Sequence, residues 1–173
     1  MGKKRPLDLL DLLKRSTEEM APLCQTNGLQ LSIMDLPEKI PEILGDGESL
    51  LRVLTNIIGN ATKYTPENGR ISISVESDDY HVTIRISDTG VGIPADKLPF
   101  IFEPFYRVRG KAEQQQGSGL GLTFCKRIME MHGGEIAASS IEGRGSTFLL
   151  KFPTHLPPRQ GMDSPASTPG RNS

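Results

Sequence analysis

Two runs in the middle of the chain place apolar residues at every second position: Ile71, Ile73 and Val75, then Val82, Ile84 and Ile86, with polar residues between them. Successive strand side chains point to opposite faces, so this pattern describes two strands with one buried face and one wet face. Ser77-Asp78-Asp79 supplies the turn, and the pair reads as a β-hairpin near the centre of a sheet. A sheet that is apolar on one side must be covered there, and the rest of the chain offers helices for the purpose.

Leu9, Leu13, Met20 and Leu23 recur at spacings of four, seven and three among charged residues, which predicts an amphipathic helix over about 8–26, ended by Asn27-Gly28. A second helix is expected over 47–63, entered through Asp46 or Ser49 and stopped near Thr65-Pro66. A third is expected over 120–131, ending at His132-Gly133-Gly134. Leu29, Leu31 and Ile33 alternate as a strand that the Pro-rich stretch 36–41 breaks, and 135–140 with 146–152 form a second hairpin through Glu142-Gly143-Arg144-Gly145. Between 89 and 118 only one short helical candidate appears, about 95–101, and such length without periodicity predicts a mobile lid. Three helices and about five strands, grouped in hairpins rather than in strict βαβ alternation, predict an α+β two-layer sandwich, a mixed sheet with the helices on one face.

With 173 residues, 36% of them hydrophobic, the chain is long enough for one domain with its own core. The expected boundaries are a short junction at 1–5, the domain at 6–153, and a tail at 154–173 whose Pro, Ser and Gly content cannot offset its ordering entropy by burial. Twenty Lys and Arg against 21 Asp and Glu leave a net charge of -1, which gives no electrostatic case for a nucleic-acid or anionic-membrane partner. Cys24 and Cys125 stand far apart with no CxxC or Cys/His cluster, so they are expected as reduced thiols in a cytoplasmic protein. No apolar run approaches the roughly 20 residues of a membrane span, so direct membrane insertion is not expected.

Three segments carry chemistry. On the second helix Asn56, Asn60 and Lys63 fall on one stripe with Arg52 a turn earlier, opposite Leu50, Val53, Leu54, Ile57, Ile58 and Ala61. Asn carbonyl oxygens suit Mg²⁺ or its waters, and a Lys suits a phosphate, although a polar stripe is also what any surface helix shows. Asp88-Thr89-Gly90-Val91-Gly92-Ile93-Pro94 puts a carboxylate at a strand end and glycines where the backbone turns tightly; an Asx-turn in a Gly-rich loop is the plain alternative. Gly117-Ser118-Gly119-Leu120-Gly121-Leu122 opens a helix whose N–H groups can cradle phosphates. It lacks the Gly-Lys-Ser/Thr ending of a Walker A loop, and no strand runs into it.

In this order, and with Phe102-Glu103-Pro104-Phe105-Tyr106-Arg107 between the second and third, these segments resemble the N, G1, F and G2 boxes of the sensor histidine kinases of two-component systems, within the superfamily that includes Hsp90, DNA gyrase and MutL. The resemblance covers about 6–153. It implies that Asn60 ligates Mg²⁺ with help from Asn56, that Lys63 contacts phosphate, and that Tyr64 lines the nucleotide pocket. Asp88 would bind the adenine amino group, with Gly90, Gly92 and Ile93 shaping its pocket. Residues 94–118 would form an ATP lid in which Tyr106 and Arg107 approach the nucleotide, while Gly117, Ser118, Gly119, Leu120, Gly121 and Leu122 surround the phosphates; Arg109 and Lys111 would add lid charge.

The gyrase-like ATPases of the superfamily carry a Glu where this chain has Asn56. An amide cannot take a proton from water as a carboxylate does, so Asn56, Lys63 and Arg107 are expected to serve phosphoryl transfer rather than hydrolysis. The alternatives within reach are a serine kinase or ATPase of the same superfamily and a non-catalytic nucleotide-binding module. No histidine fits as phosphoacceptor: His81 lies in a strand, His132 at a helix end, and His155 at the start of the tail. The implied partners are a dimerisation and phosphoacceptor domain of the same kinase and, through it, a response regulator; the isolated domain is expected to be monomeric. Phe100, Phe102 and Phe105 read either as a docking patch for acceptor helices or as core packing, and Cys125, Met129 and Met131 read as core.

Overall fold

A computed structural model of the protein describes residues 2–34, 36–106 and 120–155. In chain order the elements are β1 (Arg5–Leu7), α1 (Leu9–Thr26), β2 (Gln30–Ile33), β3 (Ile43–Gly45), α2 (Gly47–Tyr64), β4 (Arg70–Ser77), β5 (His81–Asp88), a 3-10 turn at Leu98–Phe100, α3 (Gly121–Met131), β6 (Glu135–Ile141) and β7 (Gly145–Pro153). The main sheet has the order β2-β4-β5-β7-β6. β2 runs parallel to β4 and every other pairing is antiparallel, so the sheet is mixed, as expected.

The alternation that opened the sequence reading fixes which face is covered. Ile71, Ile73, Val75, Val82, Ile84 and Ile86 are buried, joined by Phe148, Leu150 and Phe152 of β7. They meet Val53, Leu54, Ile57, Ile58 and Ala61 of α2, with Leu9 and Leu13 of α1 and Cys125 and Met129 of α3 completing the same core. Each such aliphatic side chain contributes about 1.5–3 kcal/mol when fully buried, which is why this face cannot be left open. The other face carries hydroxyls, and Ser87 and Thr147 are paired across β5 and β7 at 2.9 Å.

Local chemistry sets the helix ends. Asp8 caps α1 by accepting from the Leu10 N–H at 2.8 Å, and Gly28, at φ 65°, turns the chain out of it. Pro22 lies within α1 without ending it. The last turn presents Cys24 to α2, its Sγ 3.4 Å from Thr62 Oγ1, while Leu23, placed on the apolar stripe by sequence, is exposed. Met131 likewise departs from its expected core role and is exposed, whereas Cys125 and Met129 are buried.

Two features have no sequence signature. β1 and β3 form a small antiparallel sheet with Arg5 opposite Gly45, although Pro6 sits at the centre of β1. Beside it, buried His132 ties the end of α3 to the start of α2: Nε2 accepts from the Asp46 N–H at 3.0 Å and Nδ1 lies 2.7 Å from the Ile128 carbonyl oxygen. Among the described residues no helix is long and apolar enough to cross a membrane. Of the expected tail, Thr154 and His155 are described and donate their N–H groups to the Tyr80 and Glu42 carbonyls, while 156–173 and lid residues 107–118 lie outside the described residues.

Candidate functional site

β5 delivers Asp88 to the rim of the core. Its parity continues Val82, Ile84 and Ile86, so the carboxylate faces the helix layer at the point where the strand ends. The Asx-turn expected as the plain reading does form: the Gly90 N–H donates to Asp88 Oδ1 at 2.8 Å, and the Ser146 N–H reaches the same oxygen at 3.3 Å. Both bonds fall on Oδ1, so the turn leaves Oδ2 to other partners. Burial pushes the Asp88 carboxyl above the usual carboxylate range, partly offset by those two N–H groups.

The loop that follows is clamped between two elements. The Val91 N–H donates to the Tyr64 carbonyl at the end of α2 (3.1 Å), and the Val91 carbonyl accepts from the Gly143 N–H in the β6–β7 turn (2.7 Å). Ile93 donates its N–H to Ser140 Oγ at 2.7 Å. Glycine is required here by close approach: a Cβ on Gly90 would lie 2.5 Å from the Tyr64 carbonyl oxygen, and Gly92, at φ 69°, backs onto the Ile141 carbonyl.

Tyr64 closes α2, and the stripe predicted from sequence runs back from it: Lys63, Asn60 and Asn56 are all half-buried. Lys63 Nζ lies 5.3 Å from the centroid of the Tyr64 ring. One turn further, Asn56 faces the start of α3, where a Cβ on Gly121 would come within 2.7 Å of Asn56 Oδ1. Arg52 caps this end, its guanidinium 5.0 Å above the Phe124 ring. Arg52 and Asn56 line a cleft of about 480 Å³ together with Glu19, Met20, Thr55, Leu120, Gly121 and Phe124. Among the described residues no side chain caps the start of α3.

The structure therefore brings together Asn56, Asn60, Lys63, Tyr64, Asp88, Gly90, Gly92 and Ile93 along α2 and its neighbouring loop, with Leu120, Gly121 and Leu122 at the facing helix start. Tyr106 is half-buried with its ring 5.7 Å from that of Phe100. Arg107, Arg109, Lys111, Gly117, Ser118 and Gly119 lie outside the described residues. Of the three phenylalanines, Phe102 packs edge-on to Phe148 at 6.4 Å, while Phe100 and Phe105 are exposed. The short helix expected at 95–101 reduces to the 3-10 turn at Leu98–Phe100, where Pro99 lacks the N–H that would bond back to residue 95.

Ser140 and Ser146 belong to the site and no motif assigned them a role. Their signal was parity: both stand at positions whose neighbours two residues away, Ala138 and Phe148, pack against the core, and a small polar residue there marks a gap in the apolar face. Among the described residues no three His, Cys, Asp or Glu side chains assemble, so a cation here would be held by amide oxygens, water and its own ligand's oxygens. The arrangement suits a ligand with a hydrogen-bond donor edge at one end and negative charge at the other.

The family described as histidine kinase-, DNA gyrase B- and HSP90-like ATPase matches residues 45–156. Among curated relatives, the adaptive-response sensory kinase SasA of Synechococcus elongatus is 39% identical over 145 residues, 83% of this chain and 37% of that protein. The sensor histidine kinase WalK of Bacillus subtilis is 39% identical over 124 residues, 70% of this chain and 20% of that protein. The chain thus spans little more than a third of the length of SasA and a fifth of that of WalK. Among solved structures, the nucleotide-free catalytic domain of histidine kinase ThkA agrees with a TM-score of 0.77 at 25% identity, over 88% of this chain and 99% of that one. Full-length ShkA in complex with AMPPNP agrees with a TM-score of 0.76 at 29% identity, over 90% of this chain and 32% of that one.

Proposed function

The chain belongs to the family of histidine kinase-, DNA gyrase B- and HSP90-like ATPases, and from that premise we propose that it holds ATP with Mg²⁺ and delivers the γ-phosphoryl group to a histidine on a separate dimerisation and phosphoacceptor domain. It is a catalytic ATP-binding domain of the sensor histidine kinase type. The observation that carries the proposal is the docking of the Asp88 loop onto the end of α2 through Val91 and Tyr64, which holds the carboxylate's loop against the helix that carries Asn56, Asn60 and Lys63. The ShkA complex with an ATP analogue supports the same reading.

In this reading Asp88 Oδ2 accepts from the adenine amine, Gly90, Gly92 and Ile93 shape the purine pocket, and Tyr64 lines it. Lys63 and Arg107 contact phosphate, Tyr106 covers the nucleotide from the lid, and Gly117, Ser118, Gly119, Leu120, Gly121 and Leu122 offer N–H groups to the phosphates. The donor set fits Mg²⁺: Asn60, with Asn56, presents hard amide oxygens, and the Cβ-free Gly121 leaves room beside Asn56. When bound, the ion would neutralise charge on the triphosphate. The protein's part in transfer is positioning and charge stabilisation, and Asn56, unable to deprotonate water, disfavours hydrolysis.

The acceptor lies elsewhere in this reading. Both ring nitrogens of His132 are engaged in the core, and His81 stands in β5 with Nδ1 3.8 Å from Asp78. The isolated domain is monomeric and cytoplasmic, and reaches a response regulator only through the acceptor domain. Mixing the chain with γ-labelled ATP, Mg²⁺ and a supplied phosphoacceptor domain tests this: acid-labile label on the added domain is expected. Nucleotide binding without transfer, or label on His81, His132 or His155, would contradict it.

A further inference from the structure

Ser140 sits on β6, outside every motif, yet its hydroxyl joins three parts of the purine end. It accepts from the Ile93 N–H at 2.7 Å, donates to the Gly145 carbonyl at 2.9 Å, and lies 2.9 Å from Ser146 Oγ. A hydroxyl has one proton. With that proton on Gly145, Ser140 can engage Ser146 only by accepting the Ser146 proton. Ser146 is buried and its own N–H reaches Asp88 Oδ1, so Ser140 sets the direction of a hydroxyl on a residue that contacts the carboxylate through its backbone.

We propose that Ser140 is a positioning residue for purine selection: by holding the Ser146 proton and the Ile93 N–H together, it keeps the pocket edge at Asp88 free of hydroxyl donors. Asp88 Oδ2 and Ser146 Oγ then present acceptors only. A 6-amino purine offers N–H donors to that edge and is accepted. A 6-oxo purine offers a lone pair and is refused, because two acceptors facing each other leave a buried polar group unpaired. The same bond pins Ile93, the residue before Pro94, so the root of the lid is fastened to the purine edge.

The inference rests on the assignment of Asp88 to adenine, and its test separates the two. Titration calorimetry with ADP and with GDP on the unaltered chain sets the preference. Ser140→Ala frees the Ser146 hydroxyl to turn its proton toward O6, so the ADP-to-GDP preference should fall by about five- to tenfold, the scale of one hydrogen bond. Part of that fall should be a gain for GDP. Ser140→Thr keeps a hydroxyl and should restore the preference. Ser146→Ala, which leaves Ser140 bonded to Ile93, should weaken ADP without any gain for GDP, and it remains informative if Ser140→Ala does not fold. Equal weakening of ADP and GDP by Ser140→Ala, with a lowered melting temperature, would mean a merely structural role and overturn the proposal. No heat with ADP on the unaltered chain would sink the adenine assignment itself and this inference with it.

Discussion

At Asp88 the backbone makes the site, whereas at Asn56 side chains make it. Asp88 is fixed by N–H groups of Gly90 and Ser146, and its loop is bonded to α2 on one side and to the β6–β7 turn on the other. Asn56 and Asn60 project from a helix whose opposite face supplies the core, and Asn56 faces the start of α3. The first end is complete before a ligand arrives, and the second is completed by what binds. Affinity for the base is therefore expected to come from the sheet-backed loop, and chemistry at the phosphates from the helix face.

The largest effect is expected at the helix face. Asn60→Ala should lower phosphoryl transfer to a supplied acceptor domain by about a hundredfold or more while leaving metal-free ADP affinity within about threefold. Equal losses in both would erase the distinction between the two ends. Asp88→Asn should do the converse, weakening ADP about 10- to 100-fold with or without Mg²⁺, the worth of a hydrogen bond to a charged group. A changed Mg²⁺ requirement would argue against the division.

Two glycines sharpen the same contrast. Gly90→Ala sets a Cβ against the Tyr64 carbonyl, rigid backbone, whereas Gly121→Ala meets only the end of the Asn56 side chain, which can swing away. Chemical denaturation should show Gly90→Ala costing about 1–3 kcal/mol, and Gly121→Ala clearly less. Similar costs would mean that the Asp88 loop is no more rigid than the helix face.

The smallest effect is on pH. Asp88 accepts most strongly from an amine when ionised, and burial raises its pKa, so ADP affinity should decline on acidification while ordinary exposed carboxylates are still charged. The sign for stability is opposite. An acid whose pKa is raised in the folded state binds its proton more tightly there, so protonating Asp88 favours folding through that window, and the lost affinity is not unfolding. Asp88→Asn should flatten the profile over the same range, as measured by calorimetry.

The central hairpin was legible because one face is apolar at every second residue and no other period fits. All three helices were legible from their stripes and from the stops at Asn27-Gly28, Thr65-Pro66 and His132-Gly133-Gly134. The β1–β3 pair was not, because its backbone pairing comes from tertiary contact around Pro6 and overrides local propensity. Within the site, residues placed by helical phase or by a strand's end were legible: Asn56, Asn60, Lys63 and Asp88. Ser140 and Ser146 were not, because their roles depend on two strands meeting a loop some 50 residues away in sequence, Ile93 to Ser140 being separated by 47. The short lid helix failed because composition ignores the donor lost at Pro99.

Calorimetric titration of ADP, in buffer with and without Mg²⁺, into the unaltered chain and into Asp88→Asn bears most directly on the account. It predicts saturable binding to the unaltered chain in both buffers and strongly weakened binding to the variant in both. Equal affinity of the two proteins, or no binding by the unaltered chain, would contradict it.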